Sequence, residues 1–255
     1  MLISVNKVTK RFKKEDSWLF ADYQQVLTGV SLTIRQGECV GIIGESGSGK
    51  STLGKIILGL EKPDSGEVCF SDEMASLAKH QAMSVVFQDY NTSVNPRLSI
   101  REIINEPLIK QSMTPSQREA MLVSLLEEVG LTGEFLDRYP HQLSGGQLQR
   151  VCIARAIAPS PKFILLDEAV SSLDVSVQVQ VLNLLLRLKQ QRNIAYLFIT
   201  HDRTVATFLC DRLAFFQHGN IVEQVDNMQQ LPFIQHPYAQ ALLQAAFALE
   251  VHRQG

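Results

Sequence analysis

Short apolar runs alternate with amphipathic segments along most of this 255-residue chain. Runs of only a few residues that are rich in apolar and β-branched side chains are typical of buried strands, and they occupy residues 39–43, 84–87, 163–166 and 194–199. Between the last two runs, Val181, Leu185 and Leu188 recur at helical spacing and predict a connecting helix. Strands that alternate with helices in this way predict a largely parallel sheet covered by helices.

Other segments carry the signals of antiparallel strands. Residues 26–34 predict a strand, and the turn-forming residues 63–66 precede a strand-like stretch at residues 67–70. Residues 213–223 predict a hairpin, because two apolar runs flank a turn at residues 218–220.

The stretch from residue 89 to residue 158 differs from its surroundings, because it is helical in pattern and rich in charge. Thr114 is suited to cap a helix with Pro115 at its first position and Gln117 three residues after the cap. Gly130 is suited to end that helix. We therefore predict a single domain of residues 1–255, with a core at residues 1–88 and 159–230, an inserted α-helical subdomain at residues 89–158 and a C-terminal tail at residues 231–255.

Composition and charge exclude several function classes. A formal net charge of −2, without a basic tail or an arginine-rich stripe, argues against nucleic acid as the main partner. Residues 1–7 are too mixed for a signal peptide, and no apolar run approaches the roughly 20 residues that span a bilayer. The 4 cysteines are scattered and form no Cys-x-x-Cys pair, which argues against a zinc ribbon or a disulfide framework. Cys39 and Cys152 are predicted to be core side chains in a protein of the reducing cytosol.

Residues 44–51 read GESGSGKS and match the phosphate-binding loop pattern at each of its fixed positions. The motif follows the predicted strand of residues 39–43 and precedes residues 52–58, whose apolar side chains have helical spacing, and this context separates it from a chance match in a flexible loop. Glycines allow backbone N–H groups to surround phosphate oxygens, and the N-terminus of the following helix favours negative charge. Lys50 is suited to the β- and γ-phosphates and the Ser51 hydroxyl to Mg²⁺, so the motif predicts binding of a nucleoside triphosphate.

A second glycine motif, LSGGQ at residues 143–147, precedes a helical pattern that includes Leu148, Val151 and Arg155. Adjacent glycines ahead of a helix expose backbone donors at its positive end, which is a second place suited to phosphate. Together with the first motif, and with residues 147–151 continuing the second, it resembles the signature sequence of ATP-binding cassette (ABC) ATPases. The resemblance implies an α/β P-loop ABC ATPase fold with a RecA-like, mostly parallel sheet core, an antiparallel β portion and the inserted helical subdomain.

Further motifs of the family follow in its order over nearly the full chain. Gln88 matches the Q-loop, Asp167 and Glu168 end a strand that resembles Walker B, residues 171–174 match the D-loop, and His201 matches the switch histidine. The resemblance implies that Asp167 holds Mg²⁺, directly or through water, and that Glu168 polarises the attacking water as a general base. Alone, Gln88 could be a surface amide, His201 a structural histidine and the carboxylates a solvated strand end. Because all these motifs occur together and in the order found in ABC ATPases, the resemblance to that family is favoured over these separate explanations.

The resemblance also assigns residues to ligands. The catalytic residues that it implies are Lys50, Glu168 and His201, and the Mg²⁺ ligands are Ser51, Gln88 and Asp167. Contacts to ATP are implied for Phe12, Gly44, Glu45, Ser46, Gly47, Ser48, Gly49, Lys50, Ser51, Thr52, Gln88, Ser144, Gly145, Gly146, Gln147 and Asp174. Phe12 is favoured to stack on adenine, but residues 13–25 read as an extended turn, so Tyr23 could serve instead, and either ring could simply pack against the core.

The family resemblance implies an assembly as well. In ABC ATPases the signature of one subunit covers the nucleotide held by the other, so Ser144, Gly145 and Gly146 would act in trans. The chain would be a peripheral subunit at the cytoplasmic face of the cell membrane. Its partners would be a second ATPase subunit, two integral-membrane permeases and, indirectly, an extracytoplasmic solute-binding protein. A heterodimer of ATPases is expected, with a homodimer as the alternative.

Details outside the shared motifs narrow the subfamily. Residues 236–242, which read HPYAQAL, resemble a segment typical of dipeptide, oligopeptide and nickel importer ATPases, and residues 88–89 and 94–97 fit the same group. Ala169 and Val170 stand where the family commonly has Pro-Thr, and this departure, together with the short tail, resembles the second ATPase of nickel importers. We therefore predict an ATP hydrolase that powers import of nickel or metal–chelate complexes.

Other classes compete with this prediction. Peptide importers share almost every visible feature, so an ATPase subunit of a dipeptide or oligopeptide importer is the main alternative. A soluble, non-transport ABC ATPase is less favoured, because repair members carry a long coiled-coil insertion and translation members carry two cassettes on one chain. The importer-like tail disfavours an exporter, and the joint presence of Lys50, Asp167, Glu168 and His201 disfavours an inactive regulatory ATPase.

Overall fold

The computed structural model describes residues 1–13, 23–89 and 92–244. In chain order the strands are β1 (Ile3–Lys13), β2 (Tyr23–Ile34), β3 (Cys39–Ile43), β4 (Ser65–Phe70), β5 (Met83–Phe87), β6 (Phe163–Asp167), β7 (Ala195–Thr200), β8 (Arg212–Gln217) and β9 (Asn220–Val225). The α-helices are α1 (Lys50–Ile57), α2 (Asp72–Ala75), α3 (Lys79–Ala82), α4 (Ile100–Asn105), α5 (Pro115–Glu128), α6 (Gly145–Ile157), α7 (Val175–Arg192) and α8 (Arg203–Leu209). Short 3-10 helices cover Glu106–Leu108, Gly133–Asp137, Pro140–Gln142 and Met228–Phe233, and residues 237–244 are helical.

The chain divides into two compact units. One contains Met1–Ala75 together with Ala195–Gly255, and the other contains Ser76–Ile194. Within the part of the chain that the structure describes, no helix is both long enough and apolar enough to cross a membrane.

The first unit contains an antiparallel sheet with the strand order β2-β1-β4. Val5 pairs with Leu32 on one side and with Val68 on the other. Buried and exposed residues alternate along much of β2, as expected for a strand with one face against the core. The strand predicted at residues 26–34 is confirmed, and it begins earlier than predicted, at Tyr23.

The sequence predicts an extended turn over residues 13–25, but the structure places both ends of this range in strands β1 and β2. Lys13 pairs with Tyr23, and Phe12 pairs with Gln24, so the antiparallel ladder continues into both ends of the predicted turn. Ladder hydrogen bonds satisfy backbone groups that a turn would leave to solvent, which explains why the strands extend this far. Residues 14–22 lie outside the described residues.

The same unit contains the strands that lead to the phosphate loop. β7, β3 and β8 are parallel neighbours in that order, with Val40 beside Leu197, and β9 pairs antiparallel with β8. Every residue of β3 is buried, because a strand inside a parallel sheet is covered on both faces. The strands and the hairpin predicted in this region are confirmed.

The Ser76–Ile194 unit combines a parallel strand pair with helices. β5 and β6 run parallel, with Met83 beside Phe163, and α7 buries the predicted stripe of Val181, Leu185 and Leu188. Parallel and antiparallel strands with covering helices confirm the α/β class. The bounds of the helical subdomain, residues 89–158, stay a prediction.

Helix α5 begins and ends where the sequence predicts. The Thr114 side chain accepts a hydrogen bond from the Gln117 backbone N–H, and the Gln117 side chain accepts one from the Thr114 N–H. Gly130 follows the helix with a φ of 76°, a left-handed conformation that costs glycine little. The capping residues therefore delimit this helix.

The cysteines behave as core residues or as free surface thiols. Cys39 and Cys152 are buried, as predicted, and so is Cys210, whose Sγ lies 3.5 Å from that of Cys39. All four cysteines lie within the described residues, and none of them, including exposed Cys69, forms a disulfide. Burial raises the pKa of the Cys152 thiol to about 11, so this side chain stays protonated near neutral pH and acts as a small apolar residue.

Candidate nucleotide-binding site

The glycine loop between β3 and α1 follows a path that only glycine permits at its key positions. Gly47 and Gly49 have φ values of 76° and 109°. A Cβ added to Gly44 would lie 2.1 Å from the Phe216 carbonyl oxygen, and one added to Gly49 would lie 2.6 Å from the Val26 carbonyl oxygen. The surrounding backbone of the same unit therefore fixes the course of the loop.

Lys50 places its charge inside this loop. It is the first residue of α1 and is only 5% exposed. The ammonium donates hydrogen bonds of 2.8 Å to the Gly44 carbonyl and 2.6 Å to the Glu45 carbonyl, with the Ser48 hydroxyl at 3.4 Å. The loop itself therefore holds the buried ammonium in a defined position.

The loop fits a triphosphate with its Mg²⁺. Helix α1 begins without a side-chain cap from Gly49, and the positive end of a helix favours a negatively charged group such as phosphate. The loop exposes Glu45 and Ser46, and the first turn of α1 contains Ser51 and Thr52. The hydroxyl of Ser51 is the hard oxygen ligand that Mg²⁺ prefers.

The predicted switch histidine follows β7 in the same unit. His201 is exposed, and its neighbours order the backbone around it. The Asp202 N–H donates to the Thr200 hydroxyl at 3.0 Å, while the Asp202 carboxylate accepts the Val205 N–H at 3.2 Å and caps α8. His201 therefore lies on a short ordered connection, and its contact with a γ-phosphate stays a prediction.

The predicted carboxylates lie in the Ser76–Ile194 unit at the end of β6. Asp167 is the last residue of this otherwise fully buried strand. Glu168 has a φ of 50°, which is uncommon for a residue other than glycine. The Ser171 N–H and hydroxyl both donate to the Glu168 carbonyl, at 3.1 and 3.0 Å, and these bonds help to hold the conformation. Strained conformations of this kind cluster at functional sites.

The donors present for a metal agree with Mg²⁺ rather than with a protein-enclosed metal site. Among the described residues no group of three or more His, Cys, Asp or Glu side chains could hold a metal ion. Mg²⁺ commonly needs only one or two carboxylates, with phosphates and waters completing its shell. Asp167 and exposed Gln88, which follows β5, supply oxygens of that kind.

The signature residues form the capped start of α6. The Ser144 hydroxyl accepts the Gln147 N–H at 3.3 Å, and the Gln147 side chain accepts the Ser144 N–H at 2.9 Å. A Cβ added to Gly146 would lie 2.4 Å from a methyl group of Val177, so this glycine allows α6 to approach α7. Gly145 is the first residue of α6. Contacts of these residues with a nucleotide stay predictions.

Asp174 caps the helix against which the signature packs. Its carboxylate accepts hydrogen bonds from the Ser176 hydroxyl at 2.7 Å and the Val177 N–H at 3.1 Å. These bonds lower the pKa of the Asp174 carboxyl, and the bond from the Ser176 hydroxyl has the largest effect. The D-loop and signature residues are thus brought together at neighbouring helix ends within one unit.

Both candidates for adenine stacking lie on the antiparallel sheet. Phe12 and Tyr23 are 40% and 49% exposed, which disfavours the interpretation that either ring packs in the core. The Lys10 ammonium lies 5.1 Å from the Phe12 ring centre, and the Arg11 guanidinium lies 4.9 Å from that of Tyr23. The choice between the two rings stays a prediction.

One residue of the signature continuation makes a contact beside the carboxylates that was not predicted from the sequence. Gln149 on α6 is fully buried, and its amide nitrogen donates to the Ala169 carbonyl at 2.6 Å. Its amide oxygen has no hydrogen-bond partner among the described residues. Because Ala169 follows Glu168, this side chain ties the signature helix to the strained residue. A polar residue on the apolar side of α6 is the signal that could have identified it.

We expect Gln149→Met to destabilise the protein by about 1–2 kcal/mol. The change leaves the Ala169 carbonyl without this donor, which costs about 1–3 kcal/mol, while it also removes the unpaired amide oxygen. Urea unfolding of the purified chain measures the difference. Gln190→Met, an equivalent change at an exposed position of α7, should leave the unfolding midpoint unchanged. A Gln149→Met protein as stable as the parent would contradict the importance of this bond.

The sequence and the structure of this chain are similar to those of known proteins. Residues 27–171 match the family described as ABC transporter. The chain is 48% identical over 204 residues to the metal-staphylopine import system ATP-binding protein CntF of Staphylococcus aureus, covering 78% of this chain and 82% of that protein. It is 43% identical over 228 residues to the nickel import ATP-binding protein NikE of Rhodospirillum rubrum (86% and 82%) and 40% identical over 252 residues to the probable D,D-dipeptide transport ATP-binding protein DdpF of Escherichia coli (98% and 80%). A solved dimeric ATP-binding cassette, bound to ADP and phosphate after hydrolysis, superimposes with a TM-score of 0.76 at 32% identity, covering 88% of this chain and 98% of that one.

Proposed function

The chain belongs to the ABC transporter family of ATPases, and from this premise we propose that it powers an importer for nickel or metal–chelate complexes. The observation that carries the proposal is the 48% identity to a metal-staphylopine import protein, against 40% to a D,D-dipeptide transport protein. Ala169 and Val170, in place of the common Pro-Thr, support the same choice.

The residues of the site have distinct roles in ATP hydrolysis. Lys50 and the backbone N–H groups of its loop bind the phosphates, and Ser51, Gln88 and Asp167 would hold Mg²⁺. Bound Mg²⁺ supplies positive charge against the phosphate oxygens. Glu168 accepts the proton of the attacking water, a general-base role that contributes typically about 10²–10⁴ in rate.

The remaining residues orient the nucleotide and the phosphate that leaves. His201 donates to the γ-phosphate, Asp174 keeps the D-loop in place through its capping bonds, and Phe12 stacks on adenine. The exposed Ser144 hydroxyl and the start of α6 are offered to a nucleotide held by another subunit.

The assembly that this implies has two ATPase subunits, two integral-membrane permeases and a separate solute-binding protein. The similar solved cassette is described as a dimer, which supports pairing of ATPase subunits. We propose a second, different ATPase chain as the partner and a position at the cytoplasmic face of the membrane. Cargo would be selected by the permeases and the solute-binding protein, because the predicted ATP-site residues include none of the sulfur or imidazole groups that favour nickel, apart from His201.

A dipeptide or oligopeptide importer is the second candidate. The observation that favours it is the 40% identity to DdpF over 98% of this chain. The residues that are assigned to ATP hydrolysis above are the same for both candidates, so the two candidates share that mechanism.

Purification of a trapped complex tests the transport role. The Glu168→Gln protein is affinity-tagged in its native cell and purified with ATP from solubilised membranes, and its companions are identified by mass spectrometry. We expect two permeases and a second ATPase. Recovery of only ribosomal or DNA-repair factors would contradict the role in transport while leaving ATP hydrolysis intact.

Uptake measurements then distinguish the cargoes. Cells that lack this chain should lose uptake of ⁶³Ni²⁺, supplied free or as a chelate, and should keep uptake of labelled dipeptides. Complementation with the unaltered gene should restore metal uptake, whereas Glu168→Gln should not. Loss of peptide uptake with normal metal uptake would favour the second candidate.

A further inference from the structure

The hydroxyl of Tyr238 connects the C-terminal tail to the phosphate loop. The Glu45 N–H donates to this hydroxyl at 3.1 Å, and the hydroxyl in turn donates to the Phe216 carbonyl at 3.3 Å. Phe216 lies on β8, which is the parallel neighbour of β3, the strand that leads into the loop. The tyrosine therefore joins the first residues of the loop to an adjacent buried strand.

The peptide group that Tyr238 holds is also held by the loop lysine. The Gly44 carbonyl and the Glu45 N–H belong to one planar peptide unit. Lys50 donates to that carbonyl at 2.8 Å, and the Tyr238 hydroxyl accepts from that N–H at 3.1 Å. A rotation of this peptide would break both bonds together. The orientation of the acceptor for Lys50 is thus coupled to the tyrosine on the opposite edge of the peptide.

The tail is anchored well enough to present this hydroxyl in a defined place. The carboxylate of Glu223 on β9 accepts the Gln235 and His236 N–H groups, both at 2.8 Å. The Gln240 amide donates to the Ile234 carbonyl at 2.9 Å. These bonds fix the chain immediately before and within the helical residues 237–244, whose first turn carries the tyrosine.

The state of the phenol suits this role. Tyr238 is half-buried, and desolvation raises the pKa of its phenol above the ordinary value. The hydroxyl therefore remains protonated at neutral pH and keeps its donor bond to Phe216 while it accepts from Glu45.

We propose that Tyr238 is a positioning residue for nucleotide binding, which holds the Gly44–Glu45 peptide so that Lys50 and the loop N–H groups are prepared for the triphosphate. This inference rests on the proposed function, because it takes ATP as the ligand of the loop. It adds a role for the tail, since a residue 193 positions away in the chain shapes the phosphate loop.

The substitution Tyr238→Phe tests the inference, because it removes the hydroxyl alone. For the full-length chain we expect the Kd for ATP, measured by fluorescence titration, to rise about 3- to 10-fold. The KM for ATP should rise by a similar factor, while kcat at saturating ATP changes less than about 2-fold. In the nucleotide-free protein, hydrogen exchange at the Glu45 amide should become about 5-fold faster.

Two further variants separate a positioning role from a general disturbance. Tyr139→Phe makes the same chemical change at an exposed tyrosine of the other compact unit and should alter none of these quantities. Glu223→Ala releases the tail and should raise the Kd as Tyr238→Phe does. The double variant should show no larger rise than the stronger single one, because both changes act through one contact.

The outcomes distinguish this inference from the transport proposal. Unchanged Kd and unchanged Glu45 exchange in Tyr238→Phe would overturn the inference and leave the transport proposal standing. Additive effects of Glu223→Ala and Tyr238→Phe would overturn it as well. A raised Kd in a protein that purifies without permeases would support the tyrosine's role and contradict the transport proposal, and a parent chain that does not bind ATP would overturn both.

Discussion

Replacing Glu168 with glutamine is expected to lower kcat for ATP by about 10²–10⁴-fold, the usual contribution of a general base. Glutamine has nearly the same shape as glutamate, and the two hydrogen bonds from Ser171 to the backbone carbonyl of this residue do not depend on the carboxylate. The change therefore removes the proton acceptor and preserves the fold. Steady-state phosphate release from the reconstituted complex measures the loss.

The same variant should retain ATP binding and accumulate the ATP-bound dimer, because in the mechanism that we propose ATP closes the dimer and hydrolysis reopens it. Light scattering should then show a nucleotide-dependent increase in mass. Glu127→Gln, the same change at an exposed position of α5, provides the matched control and should hydrolyse ATP at the parent rate. A Glu168→Gln protein with the parent's kcat would show that another group activates the water.

Replacing Lys50 with methionine is expected to weaken ATP binding by about 10- to 150-fold, which corresponds to the loss of about 1.5–3 kcal/mol for hydrogen bonds to a charged group. The ammonium is buried and already points into the loop, where the Gly44 and Glu45 carbonyls hold it. Because the loop holds the ammonium in a defined position, we expect its removal to appear directly in the Kd. Titration with ATP in the presence of Mg²⁺ measures the change.

Lys55→Met is the control for this experiment. Lys55 lies on the same helix, near its C-terminal end, and is exposed, so its loss removes one positive charge without touching the loop. Its Kd for ATP should match that of the parent within about 2-fold. If both variants weaken binding equally, overall charge rather than the placed ammonium would be responsible.

The structure also changes how the phosphate loop is understood. The sequence motif covers residues 44–51 alone. In the structure, the Gly44–Glu45 peptide at the start of the loop is held both by Lys50, within the motif, and by Tyr238, in the C-terminal tail. The effects of Lys50→Met and Tyr238→Phe on the Kd should therefore not add, because both act on the Gly44–Glu45 peptide.

Much of the fold was predictable because it depends on local pattern. The fully buried strand β3, the stripe on α7 and the capping box of α5 each follow from residue types at fixed spacing. The comparisons confirm the ABC ATPase fold. The exception is the extended turn predicted over residues 13–25, because at both ends of that range cross-strand pairing continues the ladder, as far as Lys13 and Tyr23.

By itself the sequence determined the class of protein: the strands and helices, the phosphate loop, the signature and the ABC family all rest on residues close together in the chain. Only the tertiary structure decided which distant groups support those motifs. Tyr238 reaches Glu45, the Phe216 carbonyl approaches Gly44, and Gln149 supports the residue after Glu168. The physical reason is that a hydrogen bond or a close backbone approach depends on which strands and helices become neighbours. Helical and strand periodicity reports which face of an element is buried but not which element covers it.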